Sequence, residues 1–359
     1  MTPFEFGEKF GLKVHGSSHG PLVGVEISGC PAGVQLSAGD IQAELDKRKP
    51  AQSLLSTQRR EQDKVIIEAG IKDGVTTGGK ISMHVKNKDV IAAHYSKMAD
   101  TPRPGHADYP AMVKYGRVEP GGGAFSGRMT AAFVMAGAVA KKLLAERGIR
   151  TMAFAKCIGR VAVQREVSDS EILENTFANL VHTAAAEKVG EMIAEVEAAR
   201  REGDSVGGVI ECRITGVPPG AGEPMFESIE STIAKAVFAI PAVKGIEFGS
   251  GFAGSGLRGS QNNDEYFIAG GARVATRTNN CGGILGGLST GMPIVFSVAV
   301  KPTSSIYKPQ KTVNLATMSE TKLRITGRHD PCIAIRAVPV VEAVAAFCIA
   351  DILAEGELK

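Results

Sequence analysis

Residues 15–20 read HGSSHG, two histidines four positions apart among small residues. An imidazole gives or takes a proton near neutral pH, so the segment could supply an acid–base group. Chelation of a metal by an i, i+4 pair needs a helix, which Gly16, Ser17, Ser18 and Gly20 disfavour. No nearby carboxylate or cysteine completes a ligand set, and no metal is expected. A further histidine, His106, lies in TPRPGHADYPA (101–111), between residues that stiffen a loop. Loop histidines held by rigid neighbours are functional more often than those in apolar periodic runs, so His19 and His106 are the acid–base candidates. His84 and His182, in an expected strand and helix, and His94, in a polar segment, read as structural or solvated.

Other segments carry the same chemistry: GGGAFSGRMTA (121–131), NNCGGILGGLSTG (279–291), KPTSSI (301–306) and GRHDPCIAIRAVPVVEA (327–343). Arginine clamps phosphate and carboxylate with two prongs, and glycine, serine and threonine amides cradle phosphate oxygens. Together they suit a small, heavily anionic ligand. Two glycine motifs are weaker. GSGFAG (249–254) and GSGLRG (254–259) match a dinucleotide fingerprint, but polar LRGSQNNDE follows where an apolar helix should open. GVTTGGKIS (74–82) nearly matches a P-loop, but Ile81 stands where a magnesium-binding hydroxyl is needed, so Lys80 is read as the start of the strand KISMHV.

These segments need a scaffold. The 359 residues can bury a large core, and 43% apolar with 22% charged residues is ordinary for a globular chain. A net charge of +3 without basic runs argues against nucleic acid as a partner. The six cysteines, Cys30, Cys157, Cys212, Cys281, Cys332 and Cys348, lack zinc or disulfide-framework spacing and read as buried free thiols in a reducing compartment. The start MTPFEFGEKF is not signal-like, and no apolar run reaches the ~18 residues of a membrane span, so a cytoplasmic protein without membrane contact is expected. Helices are expected over 129–147, over 171–202 with a Ser168–Glu171 capping box, and in VPVVEAVAAFCIADILAEG with Val341, Val344, Cys348 and Ile352 on one face. PLVGVEI, GGVIECRIT, PIVFSVAV and KLRIT read as strands. Helices and strands come in blocks, which favours one α+β layered domain over 1–359.

Taken in order, FGEKF, the SHG and GCPAG block, RPGHADY, SGRMT, GDSVGG, GVPPGAGEP, AVKGIEFGSGF, GSQNNDE, GGILGGLSTG, KPTSSI and GRHDPCIAIRAVPVVEA resemble the chorismate synthase family almost from end to end. The resemblance implies a compact β-α-β sandwich, a homotetramer, and dependence on reduced flavin mononucleotide (FMN), with NADPH as a candidate reductant. It implies a carbon–oxygen lyase of the shikimate pathway. The reaction would be the 1,4-anti elimination of phosphate and a C6 proton from 5-enolpyruvylshikimate 3-phosphate, without net redox change.

Residue by residue, His19 matches the family's acid for the departing phosphate. His106 matches the group that protonates or polarises the reduced flavin, and Asp330 the aspartate that works with flavin N5 during C6 deprotonation. Arg48, Arg103, Arg128 and Arg328 match substrate-binding arginines. Ser126, Ala242, Gly286, Lys301, Thr303, Ser304, Ser305 and Arg328 match flavin contacts.

This chain departs from the family pattern in places. GGGAFSGR replaces the frequent GGGRSSAR, putting Ala124 for an arginine and Phe125 for a serine. Leu54 stands where many members have arginine, with Arg59 and Arg60 nearby to compensate. His15 replaces a phenylalanine and reads as a packed residue. Two other classes are weighed against the lyase: an NAD(P)H or flavin oxidoreductase using the glycines of 249–259, and a non-catalytic flavin-binding relative that lost turnover through Ala124 and Leu54.

Overall fold

The computed structural model describes residues 2–49, 62–88, 100–325 and 329–354. His94, Leu54, Arg59, Arg60 and Arg328 lie outside them. Two five-stranded antiparallel sheets enclose a layer of helices. The first holds β1 (Glu5–Phe6), β2 (Gly11–Gly16), β3 (Leu22–Ser28), β4 (Val65–Ala69) and β5 (Ile81–Lys86), in the order β1-β2-β3-β5-β4. The second holds β6 (Arg150–Ile158), β7 (Val161–Ala162), β8 (Gly208–Thr215), β9 (Val243–Phe248) and β10 (Ile294–Val300), in the order β7-β6-β8-β10-β9. The inward residues Val23, Val25 and Ile27 of β3, and Ile210, Cys212 and Ile214 of β8, are wholly buried, alternating as strands with one covered face must.

Between the sheets run α1 (Ala38–Arg48), α3 (Thr130–Ala145) and α7 (Ala334–Ile352); α2 (Asp108–Tyr115), α4 (Asp169–Asn175), α5 (Val189–Arg201) and α6 (Ile229–Val237) complete the helices used below. From Ala334 to Ala350, α7 buries every residue except Arg336, because it is covered on all sides. The single face expected of Val341, Val344, Cys348 and Ile352 is therefore too narrow. It also begins at Ala334, so Pro339 sits inside it. α3 and α7 pack at Gly137, where an added Cβ would come within 2.3 Å of the Ala343 Cβ. Only glycine allows the two axes this close.

The layered α+β sandwich and the helix over 129–147 agree with the sequence reading, as does the Ser168–Glu171 capping box. The helix expected over 171–202 does not form as one piece. It breaks after Asn175, because the Asn179 side chain bonds to the backbone of Asn175, Val181 and Thr183, and His182 adopts φ +52°. The strand read in KLRIT instead spans Ser319–Leu323, paired with Gln310–Asn314. Lys80 stands just before β5 with its ammonium 3.1 Å from Glu26, as a surface lysine rather than a phosphate ligand. The glycines of 249–259 make two four-residue helical turns and no dinucleotide-type helix. No helix among the described residues is long and apolar enough to cross a membrane.

Candidate active site

A cavity of about 680 Å³ opens where the first turns of α3 and α7 meet the segments 103–107, 121–128, 238–244 and 301–305. His19, His106, Asp330, Arg48, Arg103 and Arg128 all line it. So do Ser126, Ala242, Lys301, Thr303, Ser304 and Ser305. Gly286 does not. It sits in the turn of a small hairpin, Ile284–Leu285 with Leu288–Ser289.

In HGSSHG, His15 and Gly16 end β2 and residues 17–20 form a turn. Gly16 takes φ +88°, the Gly20 N–H donates to the Ser17 hydroxyl, and the Asn87 amide donates to the carbonyls of Ser17 and Gly20. His19 Nδ1 is 3.1 Å from the buried Ser18 hydroxyl. His15 lies on β2 with its ring over Gly24, where a Cβ would approach within 2.3 Å, and takes no part in the cavity wall. The two histidines of the motif thus separate. The glycine-rich segment then packs on both acid–base candidates. A Cβ on Gly121 would fall 1.8 Å from the His19 ring, and one on Gly122 3.1 Å from His106. Gly121, Gly122 and Gly123 all have positive φ, which a side chain would strain as well as crowd.

Asp108, at the start of α2, organises the RPGHADY loop. Its carboxylate accepts from the backbone N–H, Nε and Nη2 of Arg103, and lies 2.6 Å from His106 Nδ1. Arg103 Nη2 is also 3.1 Å from that nitrogen, but a guanidinium cannot accept. The shorter contact to a carboxylate decides the tautomer: Nδ1 carries the proton and donates to Asp108, leaving Nε2 for a ligand. Burial would raise the Asp108 pKa, yet the bonds from Arg103 and His106 hold it far below the usual carboxylate value.

A second buried carboxylate, Asp63, joins two arginines. Arg48 donates to one oxygen at 2.7 Å and Arg128 to the other. Burial opposes ionisation here too, but the two guanidiniums override it and bring Asp63 to about 2. Arg48 is only 2% exposed, and its own pKa falls to about 10 through burial, against the opposing pull of Asp63. Arg128 also donates from Nε to Asn87, which links it to the His19 turn. Arg336, on the first turn of α7, donates to Asp330 at 2.8 Å and to the Arg48 carbonyl at 3.2 Å. Lys301 donates to the Gly105 carbonyl, and burial followed by repulsion from Lys244 lowers its pKa.

Asp63, Asp108, Asn87, Arg336 and His329 were not singled out from the sequence. Asp108 and Arg336 sat inside the motifs already noted, and their charge beside a candidate was the available signal. Asp63 and Asn87 lie in unremarkable stretches. His329 lines the cavity with Nε2 unpartnered among the described residues, and burial, followed by repulsion from Arg103, pulls its pKa to about 4, so it is neutral at physiological pH. The buried Thr303 hydroxyl also lacks a partner among the described residues. Buried polar atoms left this way, where they face a cavity, can be satisfied by a bound ligand or water. Unpartnered Thr303 and His329, the nearby Ser304, Ser305 and Lys301, and Ala242 at φ +74° suit a flavin carrying a phosphate tail.

The fold and site define a layered α+β protein with an acid–base cavity rich in arginine, suited to small polyanions. A family model described as chorismate synthase matches residues 10–354. The chorismate synthase of Methanocella arvoryzae is 50% identical over 359 residues, covering 100% of this chain and 96% of that one. That of Pyrococcus abyssi is 49% identical over 347 residues, covering 96% of each. A crystal structure of a chorismate synthase superposes with a TM-score of 0.76 at 28% identity, covering 97% of this chain and 92% of that one. The chain belongs to the chorismate synthase family.

Because its folded pKa is depressed from an unfolded ~3.9, Asp63 adds stability that is complete above about pH 4 and fades as pH falls toward 2. Asp63→Asn should cost about 3–5 kcal/mol at neutral pH by unpairing buried cations, and the gap in Tm should narrow between pH 5 and 2.5. A gap constant across that range would refute the pairing as its cause. In the Asp108→Asn variant, ¹⁵N NMR should show His106 losing its preference for the Nδ1-protonated form; an unchanged tautomer would remove Asp108 from that role.

Proposed function

We propose that this protein is a carbon–oxygen lyase that converts 5-enolpyruvylshikimate 3-phosphate to chorismate and phosphate in aromatic amino acid biosynthesis, with reduced FMN in the cavity. The observation that carries this reading is the convergence of His19, His106 and Asp330 with Arg48, Arg103 and Arg128 on one cavity in a chain of this family. Reduced FMN, when bound, supplies electron density transiently, with no net redox change. Lys301, Thr303, Ser304, Ser305, Ser126 and Ala242 would hold it. His19 protonates the departing phosphate, since a protonated phosphate leaves more readily, and positioned proton transfer contributes roughly 10²–10⁴ in rate. His106, oriented by Asp108 through Nδ1, would protonate or polarise the ring system beside it from Nε2 in its imidazolium form. Asp330, oriented by Arg336, would work with the bound flavin in removing the C6 proton. The arginines neutralise a substrate bearing two carboxylates and a phosphate.

Exposed Phe226 (86%), Phe252 (84%), Met225 (81%), Tyr266 (63%) and Ile268 (62%) support assembly into the homotetramer the family resemblance implies. The hairpin of Gly286 also exposes Leu285 and Leu288, which agrees with a flavin contact supplied by a neighbouring copy.

Under anaerobic conditions with dithionite-reduced FMN, the protein should release phosphate and chorismate in equal amounts. His19→Ala and His106→Ala should each lose at least ~10²-fold in turnover while keeping the fold. Flavin binding without phosphate release would favour a non-catalytic relative, and stoichiometric NADPH oxidation coupled to substrate would favour an oxidoreductase. Running the assay with and without NADPH tests whether flavin reduction is intrinsic. Sedimentation should return a mass of about four chains; a monomer would overturn the tetramer.

A further inference from the structure

Pro339 lies inside α7 and has no N–H to give. In a regular α-helix its donor would serve the carbonyl four residues earlier, that of Ile335. His182 Nδ1 lies 2.9 Å from that oxygen, across 153 positions of sequence. A carbonyl can only accept, so Nδ1 carries the proton and donates. His182 is held at both its ring and its backbone. Its edge packs on Phe177, with ring centroids 5.1 Å apart. Its own carbonyl accepts from the Ala155 N–H of β6 at 2.7 Å. The Asn179 side chain bonds to the backbone of Val181 and Thr183 on either side, and the residue is fixed at φ +52°. A non-glycine residue in the left-handed region is uncommon, and here it aims the ring at α7.

The turn that receives this bond carries the cavity wall. Arg336 follows Ile335 directly and bridges Asp330 and the Arg48 carbonyl, and Ile333, Ala337 and Val340 line the cavity. We propose that His182 is a positioning residue for the site: it supplies the hydrogen bond that Pro339 cannot, and so holds the first turn of α7 where Arg336 orients Asp330. This rests on the reading that Asp330 takes part in turnover. Pro339 leaves an acceptor open in the middle layer, and His182 clamps that acceptor to the second sheet.

The test is a double-mutant cycle, because Pro339→Ala restores the helix's own N–H and makes the histidine redundant. His182→Ala should lower phosphate release about tenfold and speed amide exchange at residues 336–338. Pro339→Ala alone should stay near the wild-type rate. The double variant should recover to within about twofold of Pro339→Ala in both readouts. Equal effects of His182→Ala in either background would overturn the proposal. Should His182→Ala fail to fold, His182→Asn takes its place, since asparagine tolerates the left-handed backbone and carries an amide donor near the place of Nδ1. It should protect residues 336–338 more than His182→Leu does, and equal loss in both would refute the clamp. Asp330→Asn separates the two readings. If it keeps wild-type turnover, the role of Asp330 fails, while exchange at residues 336–338 still decides the clamp.

Discussion

The carboxylate of Asp63, shared between Arg48 and Arg128, is the interaction on which the cavity depends. Two guanidiniums cannot be buried side by side without an anion to offset their repulsion and lost hydration. The same solution recurs around the wall: Asp108 holds Arg103, and Asp330 pairs with Arg336. These pairs fix the position of the cations before any ligand arrives, which lowers the reorganisation that binding would otherwise require. Lys301 and Lys244 add positive charge, so cations outnumber carboxylates and the wall favours anions.

A second constraint is steric. Gly121 and Gly122 pass so close to His19 and His106 that neither position has room for a Cβ, and both have φ values a side chain resists. The segment holds the two rings from above, Ser18 bonds His19, and Asp108 bonds His106. Because each ring is held by both backbone and a polar partner, its direction follows from the fold rather than from the ligand, and for His106 the acceptor-only carboxylate fixes the tautomer as well.

Much of this was legible in the sequence, for identifiable reasons. The apolar stretches of α3 and α7 and the β-branched strands carry their own periodicity, and glycine and proline flanked the polar segments that form the wall. The break at 176–188 was hidden because ENTFANLVHTAAAEK keeps enough apolar residues to mimic a helix, while the Asn179 turn that stops it depends on side-chain bonds to the backbone. Asp63 was hidden for another reason. Its importance arises only when α1 and the start of α3 bring Arg48 and Arg128 to it, across 15 and 65 positions. His329 falls between the two: its motif was visible, but its neutrality comes from burial that no local pattern reveals.

The departure at Ala124 and Phe125 can now be weighed against this framework. Both residues line the cavity, and Phe125 is 44% exposed with its ring 6.5 Å from Tyr115. Where the family resemblance leads to the expectation of an arginine, this wall presents apolar surface. An arginine at 124 would contribute charge at a cost in side-chain entropy, whereas Ala124 contributes neither, and the half-exposed Phe125 ring next to it covers part of the wall with apolar area. Excluding water strengthens the field of the cations that remain, since their attraction for an anion grows as the local dielectric falls. Anion binding then rests more heavily on arginines already held by interior carboxylates. Those carboxylates keep their hold while a ligand binds, so the ligand must meet the guanidiniums on the faces that Asp63 and Asp108 leave open. The site therefore selects for the placement of negative charge as well as its amount.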